Sequence, residues 1–411
     1  MRIPRNTALA LVALTLFAAS ASADDYPRYR GANFNGIATE KNWLGAWPDG
    51  SPKRLWKKNV GTGFASLAVA GGKLFTLGNA AKQDTVFALD ANTGAELWKY
   101  SYAEELDPKY YEGGPSATPT VAGDRVFTMS KSGHACCLEA ATGKVVWELN
   151  VHDKFGAEFP DWGFAGSPDI EGDLVIYNVG NHGLALNKGT GEMVWFSGKG
   201  ASGYGTPVPF TNEGKTALAI FAAKAVVAIE PKTGAVLWQY PWETSYDVNS
   251  ADPVVSGHLM FLSSGYDKGG GVISFAGNQP KKVWFNKEIR SHFQTSVTLG
   301  GKLYGVDGQG GDKNSKLKCV DLETGKVLWT SPDADTGTVS GTADGRLLWL
   351  TGKGELVIVE AKPDGYKELA RAQVTGGKCW TAPVLANGKV YVRNAKGDVV
   401  CLDVRGTGPM S

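Results

Sequence analysis

Short apolar stretches recur along the chain, each closed by a glycine-bearing turn and answered by a second stretch that ends in tryptophan. Apolar runs of this length bounded by tight turns predict β-hairpins. Six segments carry the pattern: Ala88 to Trp98, Cys137 to Trp147, Ala185 to Trp195, Ala228 to Trp238, Ile273 to Trp284 and Cys319 to Trp329. All but the fifth turn at Thr-Gly, namely Thr93-Gly94, Thr142-Gly143, Thr190-Gly191, Thr233-Gly234 and Thr324-Gly325. Glycine there supplies the positive φ that tight turns need. In the fifth segment Gly277-Asn278 replaces Thr-Gly.

A further hairpin lies upstream of each unit, with turns at Gly71-Gly72, Gly123-Asp124, Gly172-Asp173, Gly214-Lys215, Gly257-His258, Gly300-Gly301, Asp344-Gly345 and Asn387-Gly388. The chain therefore divides into eight units of about 40 to 50 residues, the period of a four-stranded propeller blade. Unit seven runs from Val357 to Ala370 without the tryptophan, and the last unit stops after Val399 to Asp403. Arg54-Leu55-Trp56-Lys57-Lys58 reads as the strand that the last unit lacks. The fold expected is all-β, an eight-bladed β-propeller of four-stranded antiparallel blades. Its ring closes by pairing the N-terminal strand with the last blade, which hides the sheet edges. Each tryptophan is expected to pack between neighbouring blades, its indole N–H on a backbone acceptor.

Composition refines this picture without changing it. The 411 residues include 54 glycines and 13 tryptophans, as suits a β-rich globular protein. With 42 basic and 41 acidic residues spread evenly, no basic patch or acidic tail marks a nucleic-acid or membrane partner. A monomer with a small or neutral partner is the expectation. Arg2 and Arg5, the apolar run Ala8 to Ala19 and Ala21-Ser22-Ala23 form the three parts of a cleaved secretory leader. The segments expected are a leader (1–23), an N-terminal segment (24–53), the propeller (54–405) and a tail (406–411), with the mature protein periplasmic or secreted. No cysteine near the cleavage point offers a lipid attachment site, and no other run is long enough to span a bilayer. The cysteines (136, 137, 319, 379 and 401) are too few and scattered for a disulfide scaffold.

Strand order places both glycine hairpins of a blade on one face of the ring, and the B-to-C and D-to-A loops on the other. The D-to-A loops hold more polar and aromatic residues than connectors require: Tyr111 and Glu112, Asp161 and Trp162, Tyr204, Tyr246, Asn249 and Asp252, Arg290, His292 and Gln294, Lys378 and Trp380. Converging on one funnel, they predict a ligand site at the channel mouth, with Glu112, Trp162, Tyr204, Asn249, Asp252, Arg290, His292 and Trp380 its candidate members. The five dispersed histidines have no metal-ligand spacing, and the chain carries no Gly-x-Ser-x-Gly, phosphate loop or dinucleotide fingerprint. Gly308 to Asp312 and Lys268 to Gly271 read as B-to-C loops.

The repeat Ala88-Leu89-Asp90-Ala91-Asn92-Thr93-Gly94-Ala95-Glu96-Leu97-Trp98 resembles the docking repeat of the pyrroloquinoline quinone (PQQ)-binding-like β-propeller family. That family lies in the quinoprotein alcohol dehydrogenase-like superfamily and is related to the outer-membrane assembly factor BamB. The resemblance extends from Tyr26 onward and includes Tyr29 to Gly36, Asp161 to Pro168 and Tyr246 to Pro253. For the dehydrogenase members it implies PQQ held between an aromatic ring and a vicinal disulfide, a calcium ion on oxygen ligands, and an aspartate base. Carried onto this sequence, Glu112, Asn249 and Asp252 would be the calcium donors, Trp162 the stacking ring, Arg290 the partner of a cofactor carboxylate and Asp252 the base. Two features depart from that pattern. Cys137 of the adjacent Cys136-Cys137 pair aligns with Ala88, Ala185, Cys319 and Cys401 as a small strand residue, and the chain lacks both long insertions and a Cys-x-x-Cys-His haem motif. The reading favoured is a non-catalytic exported propeller that binds a small molecule, carbohydrate or protein segment at its channel face. A PQQ- and calcium-dependent dehydrogenase of alcohols or sugars is the first alternative, and an envelope protein-assembly scaffold the second.

Overall fold

In the computed structural model, which describes residues 24–47 and 49–406, the units fold as eight antiparallel blades. The expected leader and the last five residues of the expected tail lie outside the described residues. Blades 1 to 7 occupy residues 68–103, 120–150, 169–196, 208–241, 254–286, 297–330 and 337–373. Blade 8 takes three strands from residues 384–403 and its outer strand, Lys53–Asn59, from the other end of the chain. Trp56 faces Cys401 in this pairing, so the ring closes as the sequence predicts. Gly269–Ser274 is a strand of blade 5, and the glycines expected in a B-to-C loop belong to it; the true loop is confined to 265–268.

Each outer strand that carries a tryptophan meets its neighbour through a register shift of one residue beside the indole. Ala88 faces Trp98 while Leu89 faces Glu96, and the same shift recurs beside Trp147, Trp195, Trp238 and Trp329. A bulge turns the strand locally and re-aims its side chains. The skipped residue, such as Leu97 or Val194, is left exposed, and the indole crosses to the next blade. Its N–H donates to a backbone carbonyl just before the next blade's turn: Trp56 to Ala91, Trp98 to Ala140, Trp147 to Lys188, Trp195 to Pro231, Trp284 to Leu322 and Trp329 to Lys362, at 2.7 to 3.1 Å. Except for Trp329, which meets Tyr366, its ring lies against the glycine of that turn, where a Cβ on Gly143 would come 2.5 Å from Trp98. Blade 5, with Gly277 in the degenerate turn, breaks the series. Trp238 donates instead to Asn212 of its own blade and stacks on Phe275.

Blade 7 has no tryptophan to offer blade 8, and the N-terminal segment fills the gap. Trp43 is buried in the apolar cluster shared by Leu348, Leu350 and Ile358 of blade 7 with Val390, Val400 and Leu402 of blade 8. It is held there by the Arg346 guanidinium, 3.8 Å above its ring, and by Leu44 N–H donating to the Val404 carbonyl. At the seam between blades 8 and 1, the fully buried Arg393 donates to the Ala65 and Leu77 carbonyls, to Thr76 Oγ1 and to the Gly61 carbonyl, at 2.6 to 3.2 Å. These bonds to Nη1 and Nη2 offset much of the cost of burying the cation, while Nε is without a partner.

The same N-terminal segment crosses the hairpin face of the ring and stops the channel. Tyr26 bridges Val69 of blade 1, and the Pro27 carbonyl accepts from Val121 of blade 2. Arg28 Nη1 stands 3.5 Å from Asp169 of blade 3, and Arg30 Nη1 donates to Ser296 beside blade 6. Ile37–Ala38 then pairs in parallel with Gly341 and Thr342, adding a fifth strand to blade 7. Gly31 takes φ +74°, and a Cβ there would meet the Tyr26 ring at 2.8 Å, so the turn in this plug requires glycine.

All five cysteines are buried free thiols. Cys136 packs between blades 1 and 2 and Cys137 between blades 2 and 3, because neighbours on a strand face opposite ways. The pair serves the core, as its alignment within the repeat indicates.

Two outcomes are expected. Gly143→Ala and Gly71→Ala both force alanine into positive φ, but only the first drives Cβ into a ring. Chemical denaturation should show Gly143→Ala as the more destabilising by about 1 to 3 kcal/mol, and equal losses would deny the interlock. Trp43→Ala should destabilise by about 3 to 5 kcal/mol, as a buried tryptophan truncation does; a loss below about 1 kcal/mol would show that the segment is not part of the ring.

Candidate ligand-binding funnel

With one end plugged, the channel becomes a blind funnel of about 810 Å³ that opens on the D-to-A loop face. This is a volume typical of small-molecule sites. Its wall begins as a ring of polar residues just before the inner strands. The backbone N–H of Ser66 donates to Thr118 Oγ1, Thr118 to Ser167 Oγ, Ser167 to Thr206 Oγ1, Thr206 to Asp252 Oδ1 and Asp252 to Thr295 Oγ1, at 2.8 to 3.2 Å. Each blade start is thereby tied to the next, from blade 1 to blade 6. The relay does not continue through blades 7 and 8, where the hydroxyls of Thr338 and Thr381 are buried without a hydrogen-bond partner.

Asp252 takes the place that serine or threonine holds elsewhere in this ring. Oδ1 serves the relay, while Oδ2 is buried without a partner. Burial pushes its carboxyl up to about 6, against the pull of the Arg30 guanidinium and the Thr206 N–H. Below it, Arg30 of the plug spends Nε on Phe34 and Nη1 on Ser296, and Nη2 is unpartnered. Tyr29 of the plug has its phenol pushed up to about 12 by burial and by the Asp252 charge. Outside the funnel lining, burial lifts Asp169 of blade 3 to about 7 against the attraction of Arg28.

Above this polar floor the mouth is aromatic. Ring contacts at 4.5 to 5.5 Å run from Tyr111 to Phe64, Trp380, Phe293 and His292. They continue through Tyr266 and Tyr246 to Trp162 and Tyr204, at 5.1 to 6.2 Å. Lys109 donates to the Asp161 carbonyl at 2.9 Å and ties the two ends of this belt together. His292 has its imidazole pulled down to about 4 by burial, so it is neutral at ordinary pH, and Nδ1 lacks a partner.

Of the residues expected at the site, Trp162, Tyr204, Asp252, His292 and Trp380 line the funnel, as do Tyr111, Asp161 and Tyr246. Three others face elsewhere. Glu112 is engaged by Lys378 Nζ at 2.8 Å on the rim. Asn249 is fully buried, donating to the Ala222, Ala223 and Trp242 carbonyls and accepting from Thr244 and Ser264, so its amide ties its loop to blade 4 and blade 5. Arg290 turns into a side cleft between blades 5 and 6 and pairs with Asp307. Lining residues that the sequence reading passed over are Tyr29 and Arg30 of the plug, Phe64, Tyr266, Phe293 and the hydroxyl ring. The ring has a signal in the sequence: Thr118, Ser167, Thr206 and Asp252 each precede a proline two residues ahead of an inner strand.

The expected calcium set does not assemble. Its oxygens would come from Glu112, Asn249 and Asp252, but the first is bound to lysine, the second already accepts from Thr244 and Ser264, and the third has one oxygen in the relay and the other buried. Among the described residues no group of three or more His, Cys, Asp or Glu side chains could hold a metal. The vicinal cysteines lie in blade cores, outside the funnel lining. The residues present do not fit PQQ and calcium as the resemblance would place them.

The profile of the family described as outer membrane protein assembly factor BamB matches residues 40–113, 82–331 and 313–408, which together span most of the sequence. The chain belongs to this family. Its PQQ-like propeller is similar to the crystal structure of BamB from Moraxella catarrhalis, with a TM-score of 0.64 and 16% identity over 86% of this chain and 100% of that one. It is also similar to quinohemoprotein alcohol dehydrogenase from Comamonas testosteroni, at TM-score 0.67 and 16% identity over 96% and 82%. A europium-containing methanol dehydrogenase aligns at TM-score 0.65 and 14% identity over 92% and 89%. At these identities the likeness is one of fold, which assembly factors and dehydrogenases share. No curated protein matches the sequence. Among the described residues of this BamB-family chain, no helix is long and apolar enough to cross a membrane.

The carboxyl of Asp252 yields a pH prediction. Its folded value of about 6 lies above the ordinary 3.8, so the folded state binds the proton more tightly and stability falls as pH rises from about 4 to 6. In Asp252→Asn the amide oxygen still accepts from Thr206 and no charge is buried. The variant should melt higher than the wild type at pH 7.5, with the gap narrowing at pH 4.5. Thermal denaturation at the two pH values checks this, and a variant less stable at pH 7.5 than at pH 4.5, relative to wild type, would refute it.

Proposed function

We propose that this chain is an exported, non-catalytic binding protein whose funnel takes a small polar molecule with an apolar face. The observation that carries the reading is the pairing of an aromatic mouth with a floor of buried polar atoms lacking protein partners, namely Asp252 Oδ2, Arg30 Nη2 and the Thr338 and Thr381 hydroxyls. Buried polar groups are normally satisfied, so unsatisfied ones on residues that line a cavity argue for an occupant. The leader-like start of the sequence supports export.

The family's description favours a second reading, in which the funnel face docks a segment of an envelope protein during assembly. The two readings separate by the size of what binds. Small polar compounds (neutral sugars, sugar acids, amino sugars, amino acids and dicarboxylates) are titrated against the protein, with melting temperature and tryptophan fluorescence as readouts. At least one class should raise the melting temperature, and Trp380→Ala should weaken its binding by about tenfold, the worth of one aromatic contact. If no class binds, or Trp380→Ala leaves affinity unchanged, small-molecule binding in the funnel is rejected.

A further inference from the structure

Three tyrosines at the funnel mouth hold their backbone in a conformation that bulky residues avoid. Tyr110, Tyr246 and Tyr266 take φ of +60°, +62° and +53°, and all three line the opening. The left-handed region crowds Cβ against the backbone and is left mostly to glycine, asparagine and aspartate. Where a larger residue persists there, the surrounding structure imposes it, and such positions gather at binding sites. Tyr246 and Tyr266 regain something through ring contact, with centroids 5.5 Å apart, and Tyr266 also meets His292 at 5.1 Å. Tyr110 regains nothing. Its side chain is 99% exposed and makes no aromatic pair or hydrogen bond among the described residues.

Everything around Tyr110 is anchored. Lys131 donates to the Asp107 carbonyl at 2.6 Å and pairs with its carboxylate at 2.8 Å. Lys109 reaches the Asp161 carbonyl, Tyr111 packs on Phe64, and Glu112 is held by Lys378. Gly113 and Gly114 follow at φ +80°, where a Cβ would strike the Leu106 and Thr62 carbonyl oxygens. The strap from Asp107 to Gly114 is thus pinned on both sides of one free side chain. Rotation of that side chain between rotamers carries the ring without breaking an anchor, and for an exposed residue it is fast. In the free protein the ring buries no apolar surface while its backbone bears the strain, so it adds nothing to the fold. A ring on the rim of a cavity gains burial only when something fills the cavity.

We infer that Tyr110 is the cover of the funnel, a side chain that folds down from an anchored strap over a bound small molecule. The inference rests on the small-molecule reading of the same site and adds the control of release. Because the plug closes the far end, a bound molecule leaves by the mouth. The ring lying over it then sets the rate at which it dissociates.

The test uses the full mature chain and five probes, one for each class of compound named for the funnel: glucose, glucuronate, glucosamine, leucine and succinate. All five native thiols are buried, so Tyr110→Cys takes a thiol-reactive, environment-sensitive fluorophore at that position alone. Its emission should shift to the blue when a probe that raises the melting temperature saturates the protein. In stopped-flow measurements Tyr110→Ala should release that probe about tenfold faster, the worth of one aromatic contact, with association changed by less than about threefold. Tyr110→Asn, which suits the left-handed backbone, should melt at or above the wild-type temperature, so faster release cannot be put down to a damaged fold. Unchanged emission at saturation, unchanged release from Tyr110→Ala, or a lower melting temperature for Tyr110→Asn each overturns the cover and leaves the small-molecule reading standing. If no probe binds, both fall.

Discussion

The interaction on which the molecule depends is the docking of a tryptophan from one blade onto the turn glycine of the next. It joins area burial, a hydrogen bond to a fixed carbonyl and a contact that admits no Cβ. No blade completes this contact alone, so each is stable only as part of a ring. The ring in turn must close, since an open end would expose both an unpaired strand and an undocked indole. The seams that lack the standard pair show how strict the requirement is. Trp238 finds Asn212 and Phe275, and Trp43 comes from outside the repeats to serve blade 7.

Closing eight blades leaves a channel too wide for side chains of the inner strands to fill. The N-terminal segment resolves this on one side only, by crossing the hairpin face and pairing with inner strands as it goes. One stretch of fewer than about 40 residues thus stoppers the channel, repairs a seam and supplies the closing strand. Its stopper carries Tyr29 and Arg30, which makes it the floor of the funnel as well. The mouth stays open and aromatic, and between floor and mouth the hydroxyl relay holds the blade starts at fixed spacing. Asp252 interrupts that relay chemically without breaking it geometrically. Its buried carboxyl costs stability that a threonine would not.

The funnel was legible in part. Trp162, Tyr204, His292 and Trp380 could be placed at the mouth because strand order alone sends every D-to-A loop to one face. Glu112, Asn249 and Arg290 sit in those same loops, yet each turns away toward a nearer partner: Lys378, carbonyls of its own loop and of the neighbouring blade 4 loop, and Asp307. Loop membership determines the neighbourhood of a residue. The direction of its side chain is set by competition among local hydrogen-bond partners, which has no period along the sequence. The hydroxyl ring did have one, a serine, threonine or aspartate before proline at the head of successive inner strands, and it offers a sign by which Asp252 stands out.

The sequence by itself determined the all-β class, the eight blades, the docking role of the tryptophans and the closure through Trp56, because these rest on repeated local patterns and each repeat is evidence for the others. Only the tertiary structure decided the parts that occur once. Nothing periodic says that residues 26–38 lie across the channel, that Trp43 serves a distant seam, or that Arg30 faces Asp252 without touching it. Those arrangements follow from which surfaces were still unburied after the ring had closed.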